Sequence, residues 1–309
     1  MTRFGRLIAI VALLASLLAC GDALAQTRIA VLFPDSAPAV TKLYRTIIDG
    51  MATAGDVRIE SRAVSESASP DEIKAWVLEQ RSHAMVILGD VPPASLESLP
   101  ATMTMVRGAS ALNDNAQSGV SLASSPAQVF NRLRQIKPDV ERLFVVYRPQ
   151  STGWLLAAAR AAARDIGLEL NASACDDVQQ SVAAFGRILQ QARPGKDAIW
   201  LTLDPVVPIN QMLPVLLRES WDRHLLLVSN NPMDVAKGAL FALYPDYPAM
   251  GRQLAERVKR QIARPALSGP EPSERLRSAI NVRTASHLGI VPGERELQGF
   301  DRVFPEEQR

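Results

Sequence analysis

Cysteine is close to absent from this chain: 309 residues hold two, Cys20 and Cys175. If the chain is cut after Ala25, Cys175 stands alone and no internal disulfide forms. A small, partly buried apolar side chain is then its expected role, and no redox function follows. Histidine is scarce too. His83, His224 and His287 lie far apart in the sequence with no ligand spacing, so no metal is expected. No Gly-x-Gly-x-x-Gly follows a strand, and Gly195-Lys196 lacks the upstream glycine and following hydroxyl of a phosphate loop, so no cofactor is assigned. There is no Gly-x-Ser-x-Gly elbow, and Ser121 and Ser229 have no identifiable base. No catalytic residue is assigned, and an enzyme is not expected. A net charge of +2 gives no strong field toward nucleic acid or an acidic membrane.

The longest apolar run, Leu7 to Ala19, is too short for a membrane span. Arg3 and Arg6 precede it, and Ala23-Leu24-Ala25 before Gln26 fits a signal-peptidase site. Residues 1–25 therefore read as a signal peptide and the mature protein as periplasmic. A rival is the lipobox-like Leu17-Leu18-Ala19-Cys20, which would anchor the protein through a lipidated Cys20. It would leave only a short tether before the first strand, so the soluble product is favoured.

The remaining chain, in a sequence that is 47% hydrophobic, is long enough for two ordinary domains. It reads as two similar halves. Ile29–Phe33 and Leu143–Tyr147 are apolar strands that end in Pro34-Asp35-Ser36 and, after Arg148, Pro149-Gln150-Ser151. Ala84–Leu88 runs into Gly89-Asp90, and Ala198–Leu203 into Asp204-Pro205. Pro34 and Asp90 are 56 residues apart, Pro149 and Asp204 55. Continuous apolar strands alternating with helical segments predict an α/β fold of two doubly wound parallel-sheet lobes. One helix carries the stripe Trp154, Ala158, Ala162 and Ile166, with Gly167 as its C-cap.

Lys237 to Arg264 is the most informative stretch. Ala239–Leu243 predicts a buried strand, Tyr244–Pro248 a turn, and Met250, Leu254, Val258 and Ile262 one face of a helix stopped by Pro265. Its Gly238-Ala239-Leu240, Pro245-Asp246-Tyr247 and Gly251-Arg252 resemble the C-terminal core of a family of ABC-transporter substrate-binding proteins. These are type I periplasmic binding proteins, with aromatic amino acids among their ligands. Ile280-Asn281-Val282-Arg283-Thr284-Ala285 and Leu288-Gly289-Ile290 are similar to the family's close. The likeness extends from about Gly119 to Ile290. It implies a hinged clamshell that captures a small molecule and delivers it to an ABC permease in the inner membrane, as a monomer. The alternative is an accessory or sensor protein on the same fold, with its pocket altered or lost. Crossings between lobes are expected near Gly119–Ser124, Tyr244–Pro248 and Ser268–Pro272. Lobe one is then 26–121 with 245–271, and lobe two 122–244 with 272–309.

Parallel sheets bind ligands beyond the carboxyl ends of their strands. The residues placed there are Asp35, Ser36, Asp90, Arg107, Arg148, Ser151, Thr152, Asp204 and Asn230. The resemblance adds Tyr244, from a ligand-facing loop. Each aspartate reads equally as a cap for the helix that follows it. Several family ligand positions are replaced: Gly89-Asp90-Val91-Pro92 stands for a small-Thr-Pro loop, and Val106-Arg107-Gly108 for Val-Thr-Asp-Pro. Tyr147-Arg148-Pro149 stands for Tyr-Asn-Pro, and Asn230-Asn231-Pro232 for an acidic loop. Arg107 and Arg148, each expected just past a strand end, would favour an anionic ligand if both face the cleft.

Overall fold

The structure, a computed structural model, describes residues 26–100, 102–113 and 118–306. The expected leader, with Ala23-Leu24-Ala25 and Cys20, lies outside the described residues. The chain first lays down β1 (Thr27–Pro34), α1 (Pro38–Ala52), β2 (Val57–Val64), α2 (Pro70–Glu79), β3 (Ala84–Leu88), α3 (Ala94–Glu97), β4 (Thr104–Gly108) and β5 (Gly119–Ser124). A second unit follows: α4 (Pro126–Ile136), β6 (Arg142–Tyr147), α5 (Pro149–Asp165), β7 (Glu169–Ala174), α6 (Val178–Gln191) and β8 (Asp197–Leu201). It continues through α7 (Ile209–Arg223), β9 (Leu226–Ser229), α8 (Pro232–Lys237) and β10 (Phe241–Pro245). Then α9 (Tyr247–Ala263) and β11 (Pro270–Ser273) return to the first sheet. Finally β12 (Leu276–Asn281), α10 (Val282–His287), α11 (Glu294–Leu297) and β13 (Arg302–Phe304) complete the second.

The strand orders are β2-β1-β3-β4-β5-β11 and β7-β6-β8-β9-β10-β12-β13. The first five strands of each sheet correspond one to one, which is the duplication visible in the sequence. Pairing is parallel except between β10 and β12.

Unbroken apolar strands are required because helices cover both faces of each sheet. In β1, Ile29, Val31 and Phe33 pack with Tyr44, Ile47 and Met51 of α1 and Leu254 of α9. Ala30 and Leu32 face the other way, onto Ile73 and Val77 of α2. In β6, Leu143 and Val145 join Phe130, Leu133, Leu155 and Ala159, while Phe144 and Val146 join Phe185, Ile188 and Leu216. Each fully buried side chain of this size stabilises the fold by about 1.5–3 kcal/mol. Phe130 meets Trp200 edge-on at 5.2 Å, a geometry that adds specificity to the burial.

Two local expectations are corrected. The strand expected at Ala239–Leu243 is shifted: β10 runs Phe241–Pro245, so Tyr244 lies in a strand and not in a turn. Pro245 ends that strand, and Pro248 sits in the first turn of α9, where no backbone donor is lost. The buried face of α5 is Leu155, Leu156, Ala159, Ala162 and Ala163, with Ala158 exposed. Gly167 does take a left-handed φ of 62° just past the end of α5, and the Leu168 N–H reaches back to Ala163. Gly119–Ser124 forms β5, and the chain crosses to the second sheet just after it; residues 302–304 join that sheet as β13.

Helix α9 keeps the predicted stripe of Met250, Leu254 and Val258, while Ile262 is largely exposed. It lies against α1 at backbone contact. A Cβ at Gly251 would sit 2.0 Å from the Ile47 carbonyl oxygen, and one at Gly50 2.1 Å from that of Pro248. Only glycine fits at this crossing.

Candidate functional site

The chain passes between sheets at Ser125, at Asp246 and at Glu274–Arg275. Side chains lace these passages together. The buried Ser124 hydroxyl donates to the Leu243 carbonyl at 2.7 Å. Asp246 caps α9 by accepting from the Ala249 N–H at 2.9 Å and pairs with Arg277 at 3.1 Å. Its own N–H donates to Arg275. Gln128 donates to the Glu274 carbonyl at 2.6 Å. Asp246 is partly buried, which raises its carboxyl pKa, but Ala249 and Arg277 outweigh this and hold it below the usual range.

With the passages fixed, the carboxyl ends of the two sheets meet. Trp154, in the second turn of α5, donates its indole N–H to the Leu112 carbonyl at 2.9 Å. Leu112 is buried in the loop between β4 and β5, so this bond ties the carboxyl-end edge of one sheet to that of the other. No sequence signal announces it, because a carbonyl partner leaves no side-chain signature.

Asp204 is buried and fully engaged inside its own lobe. One carboxylate oxygen accepts from the Arg148 N–H at 2.8 Å and the Thr152 hydroxyl at 2.5 Å, the other from the Val206 N–H at 2.8 Å. It thus secures the start of α5, where the helix dipole also favours a negative charge. The next helix, α7, has Pro208 as its N-cap residue and no side-chain cap, and α1 and α3 likewise have Ala37 and Pro93. None of the three aspartates caps the helix that follows it, contrary to expectation. Asp35 and Asp90 are exposed, and Ser36 turns its hydroxyl back to Pro34. Asp90 follows Gly89, which has a left-handed φ of 67° and whose missing Cβ leaves room for the Tyr44 phenol. Burial, and then the Asp90 charge, push the Tyr44 phenol up.

The two arginines have different settings. Arg148 is the N-cap residue of α5, half-buried, and its guanidinium donates to the Asp176 carbonyl in the loop after β7. Arg107 lies within β4, opposite Ile87 and Gly119, and not beyond its end. Ser151 is half-buried in the first turn of α5. Tyr244 is buried in the core of the second lobe, and that burial raises its phenol pKa. Asp204, Thr152, Arg148 and Ser151 are therefore brought together. Arg107 and Tyr244 are held in sheet positions.

Asn230 shows a different pattern. It is 3% exposed, and its side-chain oxygen accepts from the Trp200 indole at 3.0 Å. Among the described residues its Nδ2 has no partner, and neither has the hydroxyl of Thr202, 8% exposed. Leu201 pairs with Ser229, so Thr202 and Asn230 occupy the next register position at the carboxyl ends of β8 and β9. Side chains on strands alternate, which puts both on the face of Trp200 and Val228, toward α4 and α5. Thr202 was not among the expected site residues, although its period-two spacing from Trp200 was legible.

No protein-family model matches the sequence, and no curated protein matches it. Solved structures do. A conserved domain protein from Vibrio cholerae aligns over 90% of this chain and 99% of its own, at 19% identity and a TM-score of 0.56. An ABC domain in complex with L-Trp from Streptococcus pneumonia covers the same shares at 18% identity and 0.55. A substrate-binding protein with adhesive properties from Clostridium difficile, in a ligand-free, open structure, does so at 12% identity and 0.58. Two matching lobes, three passages between them and superposition on these structures over 90% of the chain give it the type I periplasmic-binding-protein fold.

Proposed function

We propose that this chain is an exported solute-binding protein that captures a small polar or amphipathic molecule between its lobes and hands it to an ABC permease. Binding rather than catalysis is its task. The observation that carries the reading is the pair of buried polar groups, Thr202 Oγ1 and Asn230 Nδ2, that have no partner among the described residues, at neighbouring strand ends of one lobe. A buried donor without an acceptor costs about 1–3 kcal/mol, and a ligand acceptor arriving between the lobes would recover it. The mature protein is read as a periplasmic monomer beginning at Gln26, with Cys20 lipidation as the rival that intact mass distinguishes.

The test is a thermal-shift screen of residues 26–309 against amino acids and other small metabolites. A ligand at a hundred times its Kd should add about 2.7 kcal/mol of stability. Thr202→Val and Asn230→Ala, each checked for folding, should lose the shift. An empty screen would set the transport reading aside. It would favour the second reading, an accessory or sensor protein with an altered pocket. One observation already supports that alternative: Asp204 and Arg148 spend their hydrogen bonds on their own lobe.

A further inference from the structure

His224 and His287 are 63 residues apart in sequence, and the fold sets them side by side on the second lobe, at the far end of α7 from the cleft. His224 ends α7 in a left-handed conformation, φ 55° and ψ 37°, its N–H donating to Ser220. That turn swings its ring toward α10, whose last residue is His287. The His287 ring lies flat on Trp221, 3.7 Å between centroids and 4° between planes. Its Nε2 is 2.7 Å from the Trp221 carbonyl oxygen. A carbonyl only accepts, so Nε2 carries the proton and the neutral ring keeps its lone pair on Nδ1.

This is the arrangement metal-binding imidazoles use: one nitrogen oriented by a backbone carbonyl, the other left for the ion. The His224 ring stands 4.7 Å from that of His287, tilted by 43°. Two imidazoles that share a cation through bonds of about 2.1 Å have centroids roughly 5 Å apart. The observed centroid spacing falls within what a chelating pair requires. Trp221 and both histidines are exposed or at the surface, so an ion reaches them without rearrangement.

We propose that His224 and His287 form a two-imidazole surface site for a borderline divalent transition cation. Cu²⁺ should bind most tightly and Ni²⁺ and Zn²⁺ less so, following the usual order for nitrogen ligands. Among the described residues no group of three or more His, Cys, Asp or Glu side chains could enclose an ion, so water completes the shell. That makes the site an exchangeable one in the micromolar range, not a structural centre. It stands apart from the cleft and does not depend on what the cleft binds.

The test is calorimetric titration of untagged residues 26–309 with CuCl₂, NiCl₂ and ZnCl₂, with tryptophan emission followed in parallel. One equivalent of Cu²⁺ should bind and quench Trp221. His224→Ala and His287→Ala should each weaken binding roughly tenfold or more, as loss of a ligand exceeds loss of an outer contact. His83→Ala should bind as the parent does. His224→Asn, which still suits the left-handed position, replaces His224→Ala should that variant unfold. Absence of binding below millimolar Cu²⁺, or binding by either histidine variant as tight as the parent's, would overturn the site.

Discussion

Asp197 is the side chain whose removal should be felt most directly. It lies at the start of β8 with its carboxylate 1% exposed, 2.5 Å from Arg142 and 3.0 Å from Arg193. Burial pushes its pKa up, but hydrogen bonds from both arginines and from the Arg193 N–H outweigh this and hold it down. An acid lowered by folding stabilises the protein above its unfolded pKa of about 3.9, and that contribution fades as pH falls through the folded value. Asp197→Asn should therefore lower stability at pH 7 by about 1–3 kcal/mol, less than the 3–5 of a fully buried pair because Arg193 is half exposed. Urea midpoints should fall less between pH 4 and pH 2 for this variant than for the parent, within roughly the window set by those pKa values. Parallel losses over that range would show that Asp197 is not the group that titrates.

At the scale of elements, the α1–α9 crossing and the α5 contact with the first lobe make separate predictions. Gly251→Ala places a methyl against the Ile47 carbonyl, where backbone lies on both sides and neither helix can yield alone. A loss of about 1–3 kcal/mol or more is expected. Gly186 of α6 has open space around its Cβ position, and Gly186→Ala should instead gain up to about 1 kcal/mol. The comparison separates steric crowding from helix propensity, and melting curves of both variants decide it. Trp154→Phe keeps the ring but removes the hydrogen bond to Leu112. A bond worth about 0.5–1.5 kcal/mol would change the ratio of closed to open lobes by several-fold. Small-angle scattering of the ligand-free variant should then report a larger radius of gyration. An unchanged radius would mean that the laced passages alone set the angle.

The described residues form two sheets with separate cores, joined by three passages that side-chain hydrogen bonds and an ion pair tie together. Lobes arranged in this way move as bodies while the strand ends between them change neighbours. Polar groups there can be left unsatisfied in one arrangement and satisfied in another. Thr202 and Asn230 fit that description, whereas Asp204 keeps its partners inside the second lobe regardless of the first. The metal site occupies the opposite end of α7, so cation binding and ligand binding are expected to be independent.

Periodicity determined most of the architecture. Runs such as Ile29–Phe33 and Leu143–Tyr147 have no polar position to spare, so they must be covered on both faces, and their repetition at nearly equal spacing specifies two like lobes. Met250, Leu254 and Val258 recur at helical spacing, and burial on one face follows from that alone. What the sequence left undecided was each polar group's partner. Asp204 reads as a cap for the helix after it, yet it holds the start of α5, two helices earlier in the chain, because β6 and β8 are neighbours in the sheet. Tyr244 reads as a loop residue, yet strand pairing with β12 carries it into the core. His224 and His287 read as isolated, and only the packing of α7 beside α10 brings them together. Apolar burial depends on a pattern that one chain segment displays by itself. Hydrogen bonds and ligand contacts depend on distances between segments, and those distances come into being only when the sheets assemble.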